Sequence, residues 1–218
     1  MKDVVIFGSG NVAKLVHFFL THDSDYRVVA FTVNRTYLGE LNYLDLPVVP
    51  FEDITESYPP SKYKMFVAMG AQERNELREK IYHEAREKGY KFASYISSKS
   101  QYWPDFKHGD NVFIIQSTSI EPFVEVGNNV ALIGAKIGQN VKIEDNCFIS
   151  TATIGSDVCV CKNAFVGINA LINPYLRIGT KSIIGAGAII TKEVEDYAVY
   201  VAQNARKSAV DSRKLRIM

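Results

Sequence analysis

The feature that most constrains this chain is an aliphatic residue that returns every six positions through its second half. A six-residue period fits neither an α-helix nor an alternating strand, but it is typical of a solenoid of short strands. Two steps, from Leu132 to Ile137 and from Ile149 to Ile154, are five residues long. The longest uninterrupted run comprises Ile154, Val160, Val166, Ile172, Ile178, Ile184 and Ile190. The earlier members are Ile114, Ile120, Val126, Leu132, Ile137, Ile143 and Ile149.

This period predicts a parallel β-helix. Three short strands, each with one inward aliphatic, form one triangular coil, and stacked coils bury these side chains in continuous ladders. The span from Ile114 to Ile190 accommodates roughly four coils. Gly, Asn and Asp then occupy the corners, where left-handed backbone angles disfavour most other residues.

The first half begins with a strand, a glycine turn and a helix. Val4 to Phe7 reads as a buried strand, and Gly8-Ser9-Gly10-Asn11 leads into an amphipathic helix that ends near Leu20. Such a turn lets backbone N–H groups at the helix start face a phosphate. A second strand, Arg27 to Val33, ends at Asn34-Arg35. A dehydrogenase presents an acid there, so the sequence disfavours a nicotinamide cofactor.

Further elements complete a small α/β unit. Lys64 to Met69 is a third strand, Gln72 to Lys88 a charged helix and Phe92 to Ile96 a further strand. Three or four parallel strands are too few for a full dinucleotide domain. We therefore predict an α/β plus all-β protein, with a small Rossmann-like domain in residues 1–100 and a parallel β-helix in residues 101–218.

The composition limits the classes of molecule that the chain is expected to bind. The chain has 25 basic and 24 acidic side chains and a formal charge of +1, which favours neither nucleic acid nor anionic lipid. No apolar run approaches the roughly 20 residues of a membrane span, and Met1-Lys2-Asp3 leads directly into a strand. We expect a cytoplasmic protein. The cysteines, Cys147, Cys159 and Cys161, lack zinc-knuckle spacing, so we expect small half-buried residues and no metal.

Two segments of the repeat, Val166 to Ala170 and Ile183 to Ile190, resemble the hexapeptide-repeat acyltransferases. The resemblance implies a left-handed coil, a homotrimer and acetyl-CoA as cosubstrate in a groove between subunits. The tail, Tyr200 to Lys207, is similar to the family's closing segment, except that Ala202 and Asn204 stand where Gly and Pro are usual. The residues expected to line the pantetheine groove are Gly167, Ile168, Asn169, Gly185, Ala186 and Gly187.

A small Rossmann-like module joined to such a β-helix resembles the bacterial nucleotide-amino-sugar N-acetyltransferases and the sialic acid O-acetyltransferases. This likeness implies transfer of an acetyl group from acetyl-CoA to an amino group of a nucleotide-linked deoxy sugar destined for a surface glycan. The residues it implies for the nucleotide are Gly8, Ser9, Gly10, Asn11, Asn34 and Arg35.

The expected catalytic histidine is missing. Members of this group use a histidine on the β-helix as general base. Here the first three histidines fall in the amino-terminal half, and His108 lies in a turn before the repeats. Gln139 and Asn140 occupy the corresponding places, and Glu144 is a further candidate near the reacting centre. The full set of histidines is His17, His22, His83 and His108.

Three explanations stay open at this point. Transfer to an amine needs less help than transfer to a hydroxyl, so positioning and oxyanion stabilisation can carry the rate. A carboxylate, Glu144 or Asp145, can act as base. Alternatively, the chain is a non-catalytic nucleotide-sugar-binding or scaffold protein that retains the fold. The chain lacks the three histidine ligands of a zinc carbonic anhydrase and the nucleophile elbow of a serine hydrolase, so the sequence disfavours both of these enzymes.

Overall fold

The computed structural model describes residues 2–210, so the last eight residues of the predicted 101–218 domain lie outside it. The amino-terminal part is a five-stranded sheet in the order β3-β4-β2-β1-β5. Strands β4, β2, β1 and β5 are parallel, and β3 is antiparallel to β4. The elements are β1 (Lys2–Phe7), α1 (Asn11–His22), β2 (Tyr26–Val33), β3 (Asn42–Tyr43), β4 (Leu46–Pro50), α2 (Ile54–Ser57), β5 (Lys64–Val67) and α3 (Glu76–Glu87).

Helices cover both faces of this sheet, which explains why β1 is apolar on both sides. Val4 and Ile6 pack in a cluster with Val16 of α1, whereas Val5 packs in a second cluster with Ile81 of α3. Burial on both faces favours a continuous hydrophobic strand over an alternating one. Within residues 2–210, none of the helices has the length and hydrophobicity needed to cross a bilayer.

The second part consists of three parallel sheets. Face 1 has the order β19-β16-β13-β10-β7, face 2 the order β22-β20-β17-β14-β11-β8-β6 and face 3 the order β21-β18-β15-β12-β9. This arrangement fits a left-handed β-helix. The strands are β6 (Tyr95–Ile96), β7 (Lys107–His108), β8 (Phe113–Ile114), β9 (Ser119–Ile120), β10 (Glu125–Val126), β11 (Ala131–Ile133), β12 (Lys136–Ile137), β13 (Lys142–Ile143), β14 (Phe148–Ser150), β15 (Thr153–Ile154), β16 (Cys159–Val160), β17 (Phe165–Val166), β18 (Leu171–Ile172), β19 (Arg177–Ile178), β20 (Ile183–Ile184), β21 (Ile189–Ile190) and β22 (Val199–Tyr200).

The predicted aliphatic ladders are confirmed. On face 1, for example, Val126 pairs with Ile143, and Ile143 pairs with Val160. Every ladder residue from Ile114 to Ile190 is at most 5% exposed. Because the ladders are inward and continuous, they form one elongated core that needs no contribution from the helices.

The two five-residue steps lie one above the other at the corner between faces 2 and 3. Gly134 and Thr151, at the turns of these steps, both have positive φ. The Thr151 N–H donates to the carbonyl of Ile133 at 2.6 Å. Both short turns fall at the same corner in successive coils, so the inward ladders keep their register.

The structure differs from the sequence prediction in three places. Helix α3 begins at Glu76, because Glu73, Arg74 and Asn75 have left-handed backbone angles. The predicted strand Phe92–Ile96 is divided: Phe92 bridges to Met65, whereas Tyr95–Ile96 is the first rung of face 2. His108 lies in β7, which pairs with β10, so one exposed histidine does belong to the β-helix, on its end coil.

Two of the three cysteines are more deeply buried than predicted, and only Cys159 is the half-buried residue that the sequence indicated. Cys147 and Cys161 are buried and Cys159 is half-buried, and all three are free thiols. Burial is the main cause that raises the pKa of Cys147 to about 12 and that of Cys161 to about 11. Both thiols are therefore held in the unreactive protonated form at neutral pH.

A ladder of buried asparagines forms the corner between faces 1 and 2. Its members have positive φ, which asparagine tolerates better than most residues. Asn111 donates to the side chain of Asn129 at 2.7 Å, and Asn129 donates to that of Asn146 at 2.8 Å. The members are Asn111, Asn129, Asn146 and Asn163, each at most 3% exposed.

Helix α3 is fastened to this asparagine ladder. The guanidinium of Arg78, which is 3% exposed, donates to the carbonyls of Asn129, Asn146 and Cys147. The carboxylate of Glu79 accepts hydrogen bonds from Asn146 at 3.0 Å and from Asn163 at 2.8 Å. We call these contacts of Arg78 and Glu79 the clamp, because they join the amino-terminal sheet to the β-helix.

Because ladder residues point inward, we expect substitutions at two neighbouring positions in β13 to differ greatly in their effect on the free energy of unfolding. Ile143 is 1% exposed and points inward, whereas Lys142 is exposed. We expect Ile143→Ala to lower the free energy of unfolding by about 2–5 kcal/mol through lost burial and a cavity. Lys142→Ala removes more atoms but should cost less than about 0.5 kcal/mol. Urea denaturation measures both, and equal losses would contradict the inward ladder.

A second prediction concerns Asp23, at the end of α1, whose carboxylate accepts hydrogen bonds from Ser98, Tyr95 and Ser97. These bonds lower the pKa of Asp23 to about 2 from 3.8, chiefly through Ser98 and then Tyr95. The folded pKa is depressed, so the stabilisation is present above pH 4 and is lost as the pH falls toward 2.

Asp23→Asn should therefore cost about 1 kcal/mol at pH 7, a low value because solvent screens this carboxylate. The difference from the wild type should narrow in urea titrations as the pH falls below 4. Asp25→Asn is the matched control, because Asp25 is exposed. If the difference in unfolding free energy between the wild type and Asp23→Asn stays constant with pH, the stabilisation by these hydrogen bonds does not depend on the charge of the Asp23 carboxylate.

Candidate functional site

The glycine turn after β1 has the geometry that the sequence predicts. Gly8 has φ +117°, its N–H donates to the carbonyl of Thr32 at 2.8 Å, and an added Cβ would lie 2.8 Å from the carbonyl oxygen of Ala68. Gly10 caps α1 and has open space around it. The structure thus holds Gly8, Ser9, Gly10 and Asn11 together at the start of a helix, where backbone N–H groups favour an anion.

A pocket of about 200 Å³ opens beside this turn, at the carboxyl ends of β1 and β2. Ser9 lines it together with Tyr37, Tyr43 and Glu40. Ligands of parallel sheets bind at this end of the strands. Tyr37, Tyr43 and Glu40 were not among the predicted site residues, although an acid and two tyrosines shortly after the second strand were a usable signal.

Asn34 and Arg35 lie elsewhere. Asn34 lines a separate groove of about 510 Å³ with Glu52 and Lys88. The side chain of Arg35 forms an ion pair with Asp53, and its backbone N–H donates to the carboxylate of Glu52 at 3.0 Å. The hydrogen bond that Arg35 donates to the Asp53 carboxylate raises the pKa of Arg35. Asn34 therefore lies outside the pocket that contains Ser9. The positive charge of Arg35 is paired with the carboxylate of Asp53.

The six residues predicted to line the pantetheine groove lie together at the corner between faces 2 and 3. The N–H of Gly187 donates to the carbonyl of Ile168 at 2.8 Å. An added Cβ on Gly167 would lie 2.8 Å from the backbone nitrogen of Ala186, so these coils leave no room for one there. We call this stack the donor corner; it comprises Gly167, Ile168, Asn169, Gly185, Ala186 and Gly187.

The candidates for the reacting centre occupy two different corners. Gln139 and Asn140 form the turn before β13, between faces 3 and 1, and the Asn140 amide donates to Asp157 at 3.1 Å. Glu144 follows β13, at the next corner, and its carboxylate accepts the N–H of Lys162 at 3.1 Å. Glu144 lines a groove of about 270 Å³ that includes neither Gln139 nor Asn140.

Comparison with solved structures identifies the fold. PerB from Caulobacter crescentus, solved with CoA and GDP-perosamine, is 24% identical, with a TM-score of 0.80 over 91% of this chain and 93% of that one. The acetyltransferase domain of PglB from Neisseria gonorrhoeae, solved with acetyl coenzyme A, is 17% identical, with a TM-score of 0.81 over 91% and 95%. WeeI from Acinetobacter baumannii AYE is 19% identical, with a TM-score of 0.76 over 94% and 99%.

Comparison of sequences finds the bifunctional protein GlmU. The Lawsonia intracellularis protein is 28% identical over an alignment of 134 positions, and the match covers 47% of this chain and 29% of that protein. The Streptococcus uberis protein is 28% identical over an alignment of 115 positions, and the match covers 44% of this chain and 25% of that protein. The chain thus matches less than a third of these curated relatives. No protein-family model matches the sequence.

The glycine turn offers a paired test. Gly8→Ala should cost about 1–3 kcal/mol of folding free energy, because of its positive φ and the close carbonyl of Ala68. Gly10→Ala should cost less than about 1 kcal/mol, since its surroundings are open.

If the turn holds a phosphate, Gly10→Ala should nevertheless weaken binding of a nucleoside diphosphate about tenfold or more, because a Cβ keeps the anion from the backbone. Calorimetric titration with UDP, dTDP and GDP measures this effect. Unchanged affinity in the folded variant would exclude the turn as the phosphate site.

Proposed function

We propose that this protein is an acetyl-CoA-dependent N-acetyltransferase that acts on the amino group of a nucleotide-linked sugar in surface-glycan biosynthesis in the cytoplasm. The observation that carries the proposal is the joint presence of two sites in one fold: a glycine turn beside a pocket and a stacked donor corner on a β-helix. Solved structures with the same fold bind CoA and a nucleotide sugar together in one case and acetyl coenzyme A in another.

In this proposal the amino-terminal part is a Rossmann-like domain that holds the nucleotide. Its four parallel strands run in the order β4-β2-β1-β5, which corresponds to the order 3-2-1-4 of a doubly wound sheet. The helix start at Gly10 and Asn11 would bind the diphosphate. The aromatic rings of Tyr37 and Tyr43 would contact the base, and the Glu40 carboxylate would accept a ribose hydroxyl.

The protein would work as a homotrimer. The donor corner and the corner that carries Gln139 and Asn140 lie on opposite edges of face 3, so one chain does not bring them together. Face 3 exposes Leu171 and Ile189, which are 39% and 66% accessible. Three copies that turned this face toward a common axis would bury those side chains and place each donor corner against a neighbour's Gln139.

The chemistry would be direct aminolysis of the thioester. The neutral amine attacks the carbonyl carbon, a C–N bond forms, the C–S bond breaks, and the amine proton leaves with the thiolate as CoA thiol. Backbone N–H groups and the amides of Gln139 and Asn140 would position the reactants and stabilise the oxyanion. This mechanism accounts for a β-helix whose one described histidine, His108, lies on the end coil.

The alternative is a non-catalytic nucleotide-sugar-binding protein. The observation that favours it is the absence of histidine at positions 139 and 140. A protein of this kind would use the pocket beside Ser9 and leave the donor corner empty.

The test is a screen in which amino sugars linked to UDP, dTDP or GDP are incubated with acetyl-CoA and the transfer is measured as release of the CoA thiol. We expect turnover with at least one amine acceptor. Glu144→Gln should retain activity within about threefold, whereas a general base in that position would give a loss of about 100-fold or more. Lys142→Gln, in the same groove, is the matched control. Stabilisation by nucleotide sugar alone, without turnover of any amine or hydroxyl acceptor, would instead establish the binding protein.

A further inference from the structure

A column of turn residues runs along the corner between faces 3 and 1, where Gln139 and Asn140 lie. The N–H of Asp157 donates to the carbonyl of Gln139 at 2.9 Å, and the N–H of Tyr175 donates to that of Ser156 at 3.0 Å. Successive coils are therefore in register at this corner, and Tyr175 lies two coils, or roughly 10 Å, above Asn140. Tyr175 thus shares an edge of face 3 with two candidates for the reacting centre.

Tyr175 has a backbone conformation that tyrosine adopts only at a cost. Its φ is +65°, in the left-handed region where a bulky side chain is an outlier. Asn140, on the same corner, has φ +57°, which asparagine tolerates. Tyr175 is 77% exposed, so burial of the ring within one chain does not offset the cost. Strain of this kind is typical of functional positions, and here it suggests a contact outside the chain.

Tyr197 provides a comparison within the same chain. Its φ is +63° and it is 63% exposed, but the ammonium of Lys181 lies 5.8 Å from the centroid of its ring. Tyr197 lies at the corner between faces 1 and 2, since Val194 before it bridges to Ile178 of face 1 and β22 after it belongs to face 2. Of these two strained tyrosines, only Tyr175 borders the face that the trimer would turn inward.

In the proposed homotrimer, Tyr175 faces the donor corner of a neighbouring copy. A three-fold axis parallel to the stack of coils keeps equivalent residues at the same height. Strand β18 follows Asn169 and precedes Tyr175, so these two residues lie at one height on opposite edges of face 3. The ring of one copy and the donor corner of the next would therefore form the two walls of one groove.

We infer that Tyr175 is a binding residue for the cosubstrate, supplied across the subunit interface. Its ring packs against the pantetheine arm of the acetyl-CoA that binds at the neighbour's donor corner. This inference rests on the proposed function and adds a residue to its donor site. The height selects the pantetheine arm rather than the thioester, because Tyr175 lies two coils above Asn140, which the proposed mechanism places at the reacting carbonyl. The arm carries planar amides and a pair of methyl groups, and an aromatic face packs well against both.

The experiment is calorimetric titration of CoA into the wild type and Tyr175→Asn. Asparagine removes the ring but tolerates a positive φ, so the urea midpoint of the variant should equal or exceed that of the wild type. The affinity for CoA should nevertheless fall about tenfold. With an acceptor that is turned over, the KM for acetyl-CoA should rise by a similar factor, while kcat and the acceptor KM stay within about twofold.

Two further variants serve as controls. Tyr197→Asn makes the same change at nearly the same φ and should leave the affinity for CoA unchanged. Tyr175→Phe keeps the ring and should bind CoA within about twofold of the wild type. A tenfold loss in Tyr175→Phe would assign the effect to the phenol hydroxyl and overturn packing by the ring.

Analytical ultracentrifugation at the titration concentration separates a contact with CoA from a contact between subunits. If Tyr175→Asn dissociates where the wild type is a trimer, the ring holds the subunits together, and its role toward CoA is overturned. A wild type that binds CoA as a monomer overturns the shared site. Unchanged CoA affinity in Tyr175→Asn overturns the role of Tyr175 while the proposed function stands. A wild type that binds no CoA overturns the proposed function and this role together.

Discussion

The interaction on which the rest of the structure depends is the clamp between α3 and the asparagine ladder. The β-helix has its own core of aliphatic ladders, and the amino-terminal sheet packs against it through an apolar cluster that includes Phe66 and Phe113. The clamp is the buried polar part of this joint: the guanidinium of Arg78 on three backbone carbonyls and the carboxylate of Glu79 on two asparagine amides. Burial lowers the pKa of Arg78 to about 10, so it stays charged at neutral pH. A buried charge whose two terminal nitrogens are both hydrogen-bonded makes the joint specific, because its loss leaves several polar groups unpaired.

This joint has a direct bearing on the proposed chemistry. If no histidine assists the transfer, the rate must come largely from the placement of the amine against the thioester. A small displacement of either group then lowers the rate strongly. The clamp fixes α3, and α3 packs on β5, which pairs with β1 just before the glycine turn. The proposed nucleotide site is thus tied to the β-helix through packed secondary structure, while the residues that would contact the reactants lie in turns.

The sequence predicts the β-helix well because each ladder residue obeys one local rule, a spacing of six, that stacking then amplifies. The glycine turn was equally accessible, since the positive φ of Gly8 is a property that few residues besides glycine supply. The clamp was not, because Arg78 and Asn146 are 68 positions apart and nothing local marks that arginine as buried. Asn34 and Arg35 were named from their place after a strand, yet Asp53 and Glu52, nearly 20 residues on, decide where Arg35 points. Long-range pairing of polar side chains leaves no periodic trace.

The measurement that tests the clamp most directly is denaturation followed by two probes. All helices of residues 2–210 belong to the amino-terminal part, so far-UV circular dichroism at the helical band reports on that part. The single tryptophan, Trp103, is 55% exposed and lies just before β7, so its fluorescence reports on the end coil of the β-helix. The wild type should give one coincident urea transition for both probes. In Arg78→Met the helical signal should be lost at a lower urea concentration than the fluorescence signal. Coincident transitions in the variant would show that the clamp does not hold the two parts together.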